Sequence, residues 1–446
     1  VLFPYQQVND HRTVMSNRIT DSSVEAVPPA IPWTRPYRQG TGPRLAASPR
    51  PAGQNAPISA GVVRGTRRPP MPLHFELEAT DPTGARAGRL HTRRGVVQTP
   101  VFMPVATHAE IRGMHSTEVW DTGARILLSN TYHLMLRPGA DVFRKLSGIH
   151  SMMQWDGLVL TDSGGFQIFS LPDRREITEQ GALFRSFYDN SRQMLSPETS
   201  IAMQQAIGSD IMMVLDVCIN STTEEAGTKE AMERTHRWAV RSLAARDAVP
   251  TGQALFGIVQ GGVFPHLRKE SAAFLTELPF EGFAVGGLAV GEGREIRNEI
   301  CELSTGLLPA NKPRYLMGVG TPNDLLDCVR RGVDMFDCII PTKMAQQGYA
   351  YTFTGLLRVT RSVFRLDDGP LDASCQCFVC TRYTRGYLHH LMRGSHALGA
   401  RLLAIHNVTH YQVLMQKMRA AIQQGTFDAL YQELFPLLKR TEKGQG

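Results

Sequence analysis

No uninterrupted apolar run in this sequence approaches the roughly 20 residues that a membrane-spanning helix needs, which excludes a helical membrane protein. The amino terminus lacks the charged start, short apolar stretch and small-residue cleavage site of a secretory signal. Cysteine is scarce, and seven in 446 residues, an odd number, is no disulfide framework. With those absences the expected location is the cytoplasm. What the chain does have is apolar residue, 42% of the total, enough for a large buried core. Acids are in deficit, and the net charge of +7 is unevenly placed. Residues 1–70 hold nine Arg, no Lys and three acids, residues 375–446 hold nine Lys or Arg against three acids, and the middle of the chain carries −5. The basic carboxy-terminal region is therefore where charge suits a polyphosphate partner, although a solvated basic surface has the same composition.

Residues 1–70 contain 11 of the 27 prolines, many Ser, Gly and Arg, and no hydrophobic periodicity. Such a stretch buries too little apolar surface to offset its ordering entropy, and disorder is expected. Its Arg-rich, acid-poor bias has the composition of an organelle transit peptide without the amphipathic segment. At Met71 the pattern changes to "MPLHFELEAT", an alternating strand. Met71 is the expected true start, the preceding stretch an upstream translation artefact, and residues 71–446 one folded domain.

Short apolar runs then recur, each closed by Gly, Pro or a polar residue: Pro100–Val105, Ile126–Ser129, Leu158–Thr161, Ile211–Leu215, Leu255–Val259, Phe283–Val285, Tyr315–Met317 and Met335–Ile339. Stretches of helical spacing separate them, such as Pro197–Ile207 with Ser196 as its N-cap and Pro197 in the first helical position. Fully apolar strands alternating with helices make a parallel sheet covered on both faces. Eight of them predict an α/β fold of the (β/α)₈ TIM-barrel type, with a doubly wound sheet as the alternative. Asn130, Asp162, Asp216, Gln260, Gly286, Gly287, Gly318 and the Asp337 region all fall at or just past a strand's carboxyl end, which in a barrel is one shared mouth.

Asp162 opens "TDSGGFQIF", where Gly164 and Gly165 let backbone approach a planar ligand, although Gly-Gly after a strand is also an ordinary turn. Asp216 in "MMVLDVC" and Asp337 in "MFDCIIPTK" are acids in apolar strands, where an unpaired carboxylate is costly and is either hydrogen-bonded or functional. With Gln260 in "GIVQGG" they offer donors and acceptors suited to the edge of a guanine-like base. Cys375, Cys377 and Cys380 crowd into six positions, which fits a tetrahedral zinc lacking one ligand. His389, His390, His396, His406 and His410 all follow, and spacing does not choose among them.

The segments "LSNTYHL" and "LRPG" (within Leu128–Gly139), "TDSGGFQIFSL", "LSPE", "GSDIMMVLD", "FGIVQGG", "FAVGGLAVGE", "YLMGVGTP", "DMFDC" with "PT", and the three-cysteine run resemble, in that order, the tRNA-guanine transglycosylases over roughly residues 72–425. The resemblance implies a (β/α)₈ barrel with an inserted zinc subdomain at about 370–410. It also implies exchange of guanine at the anticodon wobble position (34) of tRNA for a 7-deazaguanine, in queuosine biosynthesis. Carried over by motif, Asp337 is the nucleophile and Asp162 the proton acceptor and donor. Ser163, Gly164, Gly165, Asp216, Gln260, Gly287 and Leu288 would bind the base, and Phe166 and Met317 would sandwich it. Gly318, Val319, Gly320, Thr321, Pro322, Asn323, Asp324, Thr342, Lys343, Met344, Ala345 and Gln346 would meet the RNA. The family's "HN" pair after a helix selects His406 as the fourth ligand of one structural Zn²⁺.

The sequence departs from the family pattern at Lys343 and Gln346, where Arg is usual, and at Val217, where most bacterial members carry Glu. Lys lacks the bidentate reach of Arg, so the reading of flanking anticodon bases is affected. Val290 and Cys218 follow the bacterial pattern, for which the incoming base is preQ1, while the eukaryotic pattern takes queuine. A homodimer is expected, with Arg382 and Arg385 in the tRNA-contacting basic region. The rival classes are a non-catalytic tRNA-binding accessory subunit, against which both Asp337 and Asp162 are present, and a carboxylate-pair glycosidase, which leaves the cysteine run unexplained.

Overall fold

The computed structural model describes residues 73–170 and 175–439. The expectations for residues 1–70 lie outside the described residues. Each of the eight apolar runs is a strand: β1 (Val101–Pro104), β2 (Ile126–Ser129), β3 (Leu158–Thr161), β4 (Ile211–Met213), β5 (Ala254–Val259), β6 (Gly282–Val285), β7 (Arg314–Leu316) and β8 (Met335–Cys338). They pair in parallel in sequence order from β2 to β8, and β8 pairs with β1. A parallel bridge between Val105 and Leu128 joins β1 to β2 and closes the cylinder. The fold is thus the (β/α)₈ barrel, and the doubly wound alternative is excluded. Every residue of β1, β2, β3, β4, β5 and β6 is buried, which is why these strands read as unbroken apolar runs rather than as alternation.

Helices return the chain between strands. In Pro197–Ile207, Ser196 accepts the backbone N–H of Thr199 at 3.2 Å, with Pro197 in the first turn as the sequence indicates. The strand at "HFELEAT" (His74–Thr80) forms an antiparallel sheet with Arg86–Thr92 and Gly95–Thr99. A register shift lies between Leu77 and Ala79, and Phe75 is buried while Leu77 is exposed. This sheet covers the amino-terminal end of the barrel. Arg86 pairs with buried Asp334 at 3.3 Å just before β8, and Arg94 reaches Asp210 at 2.9 Å just before β4.

Two insertions interrupt the barrel. Between β3 and its helix stands a three-stranded antiparallel sheet (Arg175–Ile177, Ala182–Arg185, Arg192–Leu195) that the sequence did not announce, because strands of three or four residues carry too little periodicity. After β8 come a hairpin (Tyr349–Thr352, Gly355–Arg358), the cysteine loop and a helix, Arg385–Arg393. The closing barrel helix, Ala397–Gln423, packs His406's neighbours against the cysteine loop and Tyr411, Leu414 and Met418 into the barrel core. The inserted region thus shares a helix with the barrel and has no boundary at residue 410. Among the described residues no helix is long and apolar enough to cross a membrane.

Candidate active site and metal centre

The polar residues at the strand ends meet at the carboxyl-terminal mouth. Asp162, directly after β3, is buried and accepts three hydrogen bonds: Asn130 Nδ2 at 2.5 Å, the backbone N–H of Thr131 at 2.8 Å and Gln167 Nε2 at 2.8 Å. Burial nevertheless pushes its carboxyl up to about 6, with the charge of nearby Asp337 adding to the rise and the three donors opposing it. Asp337, in β8, is half-buried. It takes the hydroxyl of Tyr315 at 2.6 Å and the backbone N–H of Gly318 at 2.8 Å, both on Oδ1. Burial raises its carboxyl as well, against those two donors. The two acids therefore sit in different settings, and among the described residues no other side chain donates to Oδ2 of Asp337.

Asp216, past the end of β4, is buried and held by Gln260 Nε2 at 2.7 Å and by the Ser163 hydroxyl at 3.3 Å, with burial lifting it to about 6. A β-carbon on Gly165 would lie 2.5 Å from Asp216 Oδ1, so this position admits glycine alone beside the carboxylate. Phe166, on the short helix Gly165–Phe169, is half exposed, and Met317 follows β7 across the barrel.

Four further groups shape the mouth and were not singled out in the sequence. Tyr315 lies inside an apolar run, where hydropathy conceals its hydroxyl. Gln167 reads as an exposed helix residue. Glu292 accepts the backbone N–H groups of Ala289 and Val290, the second at 3.0 Å, and so ties down the loop after β6. Arg268 looks like a surface residue of the helix Pro265–Thr276, yet it is fully buried. It donates to the carbonyls of Val259 and Gly286 at 2.9 and 2.8 Å and of Gly262 at 2.9 Å, clamping the ends of β5 and β6 beneath Gln260 and Gly287. With no carboxylate in the clamp, burial draws its guanidinium down to about 10.

Cys375, Cys377, Cys380 and His406 place their ligand atoms within 4.8 Å of one another. His406 Nδ1 lies 3.9, 3.4 and 3.3 Å from the three sulfurs, close to the roughly 3.5 Å that a tetrahedral site with ordinary Zn–S and Zn–N lengths requires. Nε2 of His406 donates to the Tyr351 carbonyl at 2.7 Å, which leaves Nδ1 the unprotonated, ligating nitrogen. Asn407 fixes that carbonyl's strand by accepting from Tyr351 N at 2.9 Å. The other candidate histidines are placed elsewhere: His389 bonds the Val359 carbonyl, and His410 packs against Phe353. The donor set can hold a metal ion, and three thiolates with one imidazole suit zinc.

The family model for queuine tRNA-ribosyltransferase matches residues 81–439. A queuine tRNA-ribosyltransferase of Symbiobacterium thermophilum is 49% identical over 376 residues, covering 84% of this chain and 93% of that one. Another, from Thioalkalivibrio sulfidiphilus, is 49% identical over 363 residues, 81% and 97% of the two chains. A third, from Pseudoalteromonas translucida, is 47% identical over the same length. The chain belongs to this family. It is the family that the ordered motifs indicated, and it is one of pentosyltransferases, so the chain is an enzyme.

The residues that the sequence offered for RNA contact differ in exposure. Gly318 and Lys343 are exposed at the mouth, and Thr321, Asn323, Met344 and Gln346 are partly so. Val319, Gly320, Pro322, Thr342 and Ala345 are buried and contribute backbone and shape. Asp324 is occupied by Arg297 at 2.7 Å and by the Thr321 hydroxyl at 2.5 Å. Arg385 needs a correction as a free basic contact. Its guanidinium pairs with Asp367 at 3.0 Å and reaches the Leu371 carbonyl, so it braces the inserted region. Arg382, stacked over Phe378, and Arg393 are exposed.

Proposed function

We propose that this chain exchanges guanine at the wobble position of tRNA for preQ1 through a covalent enzyme–RNA intermediate. The observation that carries the reading is the pair of unlike carboxylates at one mouth: Asp337 with both of its donors on one oxygen, and Asp162 lifted by burial into the range where a proton can be given and taken back. Asp337 Oδ2 attacks the anomeric carbon, the glycosidic bond breaks, and Asp162 protonates the departing guanine. The incoming base gives its proton to Asp162 and displaces Asp337, restoring both groups. Asp216, Gln260 and Ser163 exchange their mutual hydrogen bonds for the base edge, the backbone of Gly287 and Leu288 completes it, and Phe166 and Met317 cover its faces. Cys375, Cys377, Cys380 and His406 hold one Zn²⁺, which with four protein ligands has a structural role. Val290 and Cys218 follow the bacterial pattern and both are buried, and Val290 would crowd a bulky substituent, which supports preQ1 over queuine.

The direct test is incorporation of labelled guanine into bulk tRNA, with preQ1 and queuine as competitors. Incorporation suppressed by preQ1 at far lower concentration than by queuine is expected. No incorporation would overturn the reading, and stronger competition by queuine would transfer it to the queuine-inserting type.

Two further outcomes follow from this reading. Replacing Arg382 and Arg393 by Ala should weaken tRNA binding and reduce the slope of log affinity against log salt by about one to two. An unchanged salt series would place the RNA on another face. A chain beginning at Met71 should fold and exchange guanine at the full-length rate, in keeping with a family match that starts at residue 81. Loss of folding or activity on that truncation would show that residues 1–70 contribute. A homodimer is part of the proposal, and sedimentation at micromolar concentration tests it.

A further inference from the structure

The insertion after β3 carries an aromatic surface that the reaction at the mouth does not use. Its turn between Ala182–Arg185 and Arg192–Leu195 presents Phe187, 43% exposed, with Tyr188 beside it at a ring separation of 4.1 Å. Arg137 lies 3.7 Å over the Tyr188 ring and is exposed, with no ion pair among the described residues. The inner side of Phe187 is backed by the buried Tyr132 ring, nearly parallel to it at 6.3 Å, and by His133 at 6.0 Å. His133 in turn meets exposed His108 edge-on at 4.8 Å. Burial and the neighbouring His108 draw His133 down to about 4, so it presents a neutral ring.

This shelf adjoins the candidate active site. Tyr132 belongs to the helix Thr131–Leu136, whose first residue donates its backbone N–H to Asp162. Its Cβ lies 3.4 Å from where a β-carbon on Gly164 would stand, one residue before the glycine that touches Asp216. Around the shelf three arginines stand against one acid of the turn, Asp189. Arg137 and Arg192 are exposed and unpaired among the described residues, Arg185 donates only to the Asn190 carbonyl, and the acid of the turn, Asp189, is occupied by Ser191. An exposed aromatic face with cations beside it, none of them in an ion pair among the described residues, has the chemistry that stacks an unpaired base and holds its phosphate.

We infer that the Phe187–Tyr188 shelf, with Arg137 beside it, stacks an unpaired nucleotide flanking the target guanine, holding the loop open while the target base is in the pocket. The inference rests on the transglycosylase reading and adds a binding position to it. Removing a base from its stack has an energetic cost, and a platform for its neighbour offsets part of it.

The test uses the full chain and an anticodon stem-loop RNA bearing 2-aminopurine next to the target guanine. Wild type is expected to quench the probe on binding. Phe187→Ala should weaken stem-loop affinity about 10-fold and lose much of the quench, with an unchanged melting temperature and an unchanged KM for free guanine. Phe187→Trp, which keeps a stacking face, should restore both signals, whereas a merely structural role would be restored by Phe187→Leu. Equal affinity and equal quench in Phe187→Ala, with wild type active in guanine exchange, would overturn the shelf alone. A variant that changed only its oligomeric state would also overturn it, by assigning the face to a second copy of the chain. A wild type that failed to exchange guanine would overturn the transglycosylase reading and the RNA occupant together.

Discussion

Asp337→Asn is expected to leave tRNA affinity within a few-fold of wild type while base exchange falls by at least about 10³-fold. The substitution keeps the shape of the side chain and removes the attacking oxyanion. Denaturing gels of wild type with tRNA and a guanine analogue should show a protein–RNA adduct that the variant lacks. Asp162→Asn should also abolish turnover, because the departing base has no proton source. An adduct that persisted in Asp337→Asn and vanished in Asp162→Asn would reverse the two roles, and exchange without an adduct in any variant would sink the covalent mechanism. The pH dependence separates the roles further. Burial raises Asp162 to about 6, so its protonated, base-expelling form declines as pH rises through that value. Single-turnover adduct formation should therefore slow above pH 6, and the return step, which uses the carboxylate as base, should gain over the same interval. Parallel profiles for the two half-reactions would count against Asp162 as the shuttle.

Cys377→Ala is expected to have the second largest effect, and on stability rather than chemistry. Cys377 is buried in the core cluster that also holds Leu388, Leu403 and Val408, and its sulfur is 3.4 Å from His406 Nδ1. A four-ligand zinc couples its binding free energy to folding. Because the helix carrying His406 continues into the barrel core, loss of the ion should loosen the barrel's closing helix as well as the cysteine loop. Metal content by elemental analysis and the thermal midpoint should fall together, and chelation of wild type should reproduce the change. A folded, zinc-free variant with normal exchange activity would refute the structural role.

The failure of Arg385 as a surface contact and the concealment of Arg268 have one cause. A basic residue in a helix reads the same in sequence whether it faces water or a row of carbonyls, and the choice is made by which helix face meets the sheet. Arg268 turns inward to a row of carbonyls past the ends of β5 and β6, those of Val259, Gly262 and Gly286, which take its guanidinium N–H groups. Arg385 turns toward Asp367 across a loop that no periodicity predicts.

By itself the sequence determined a parallel sheet of eight strands covered on both faces, because such strands are largely apolar and the helices between them are periodic, while closure into a barrel was decided by the pairing of β8 with β1 and of β1 with β2. It also determined that acids and amides gather at one end, since each followed its strand, and that three thiols share a loop, since they lie within six residues. The tertiary structure alone decided how those groups are used. It brought Tyr315 and Gly318 to the same oxygen of Asp337, turned Asp216 toward Gln260 from a neighbouring strand, and picked His406 from five candidates through a carbonyl 55 residues away in sequence. Protonation, tautomer and ligand choice depend on distances of a few ångström between strands, and local sequence pattern carries no information on those distances.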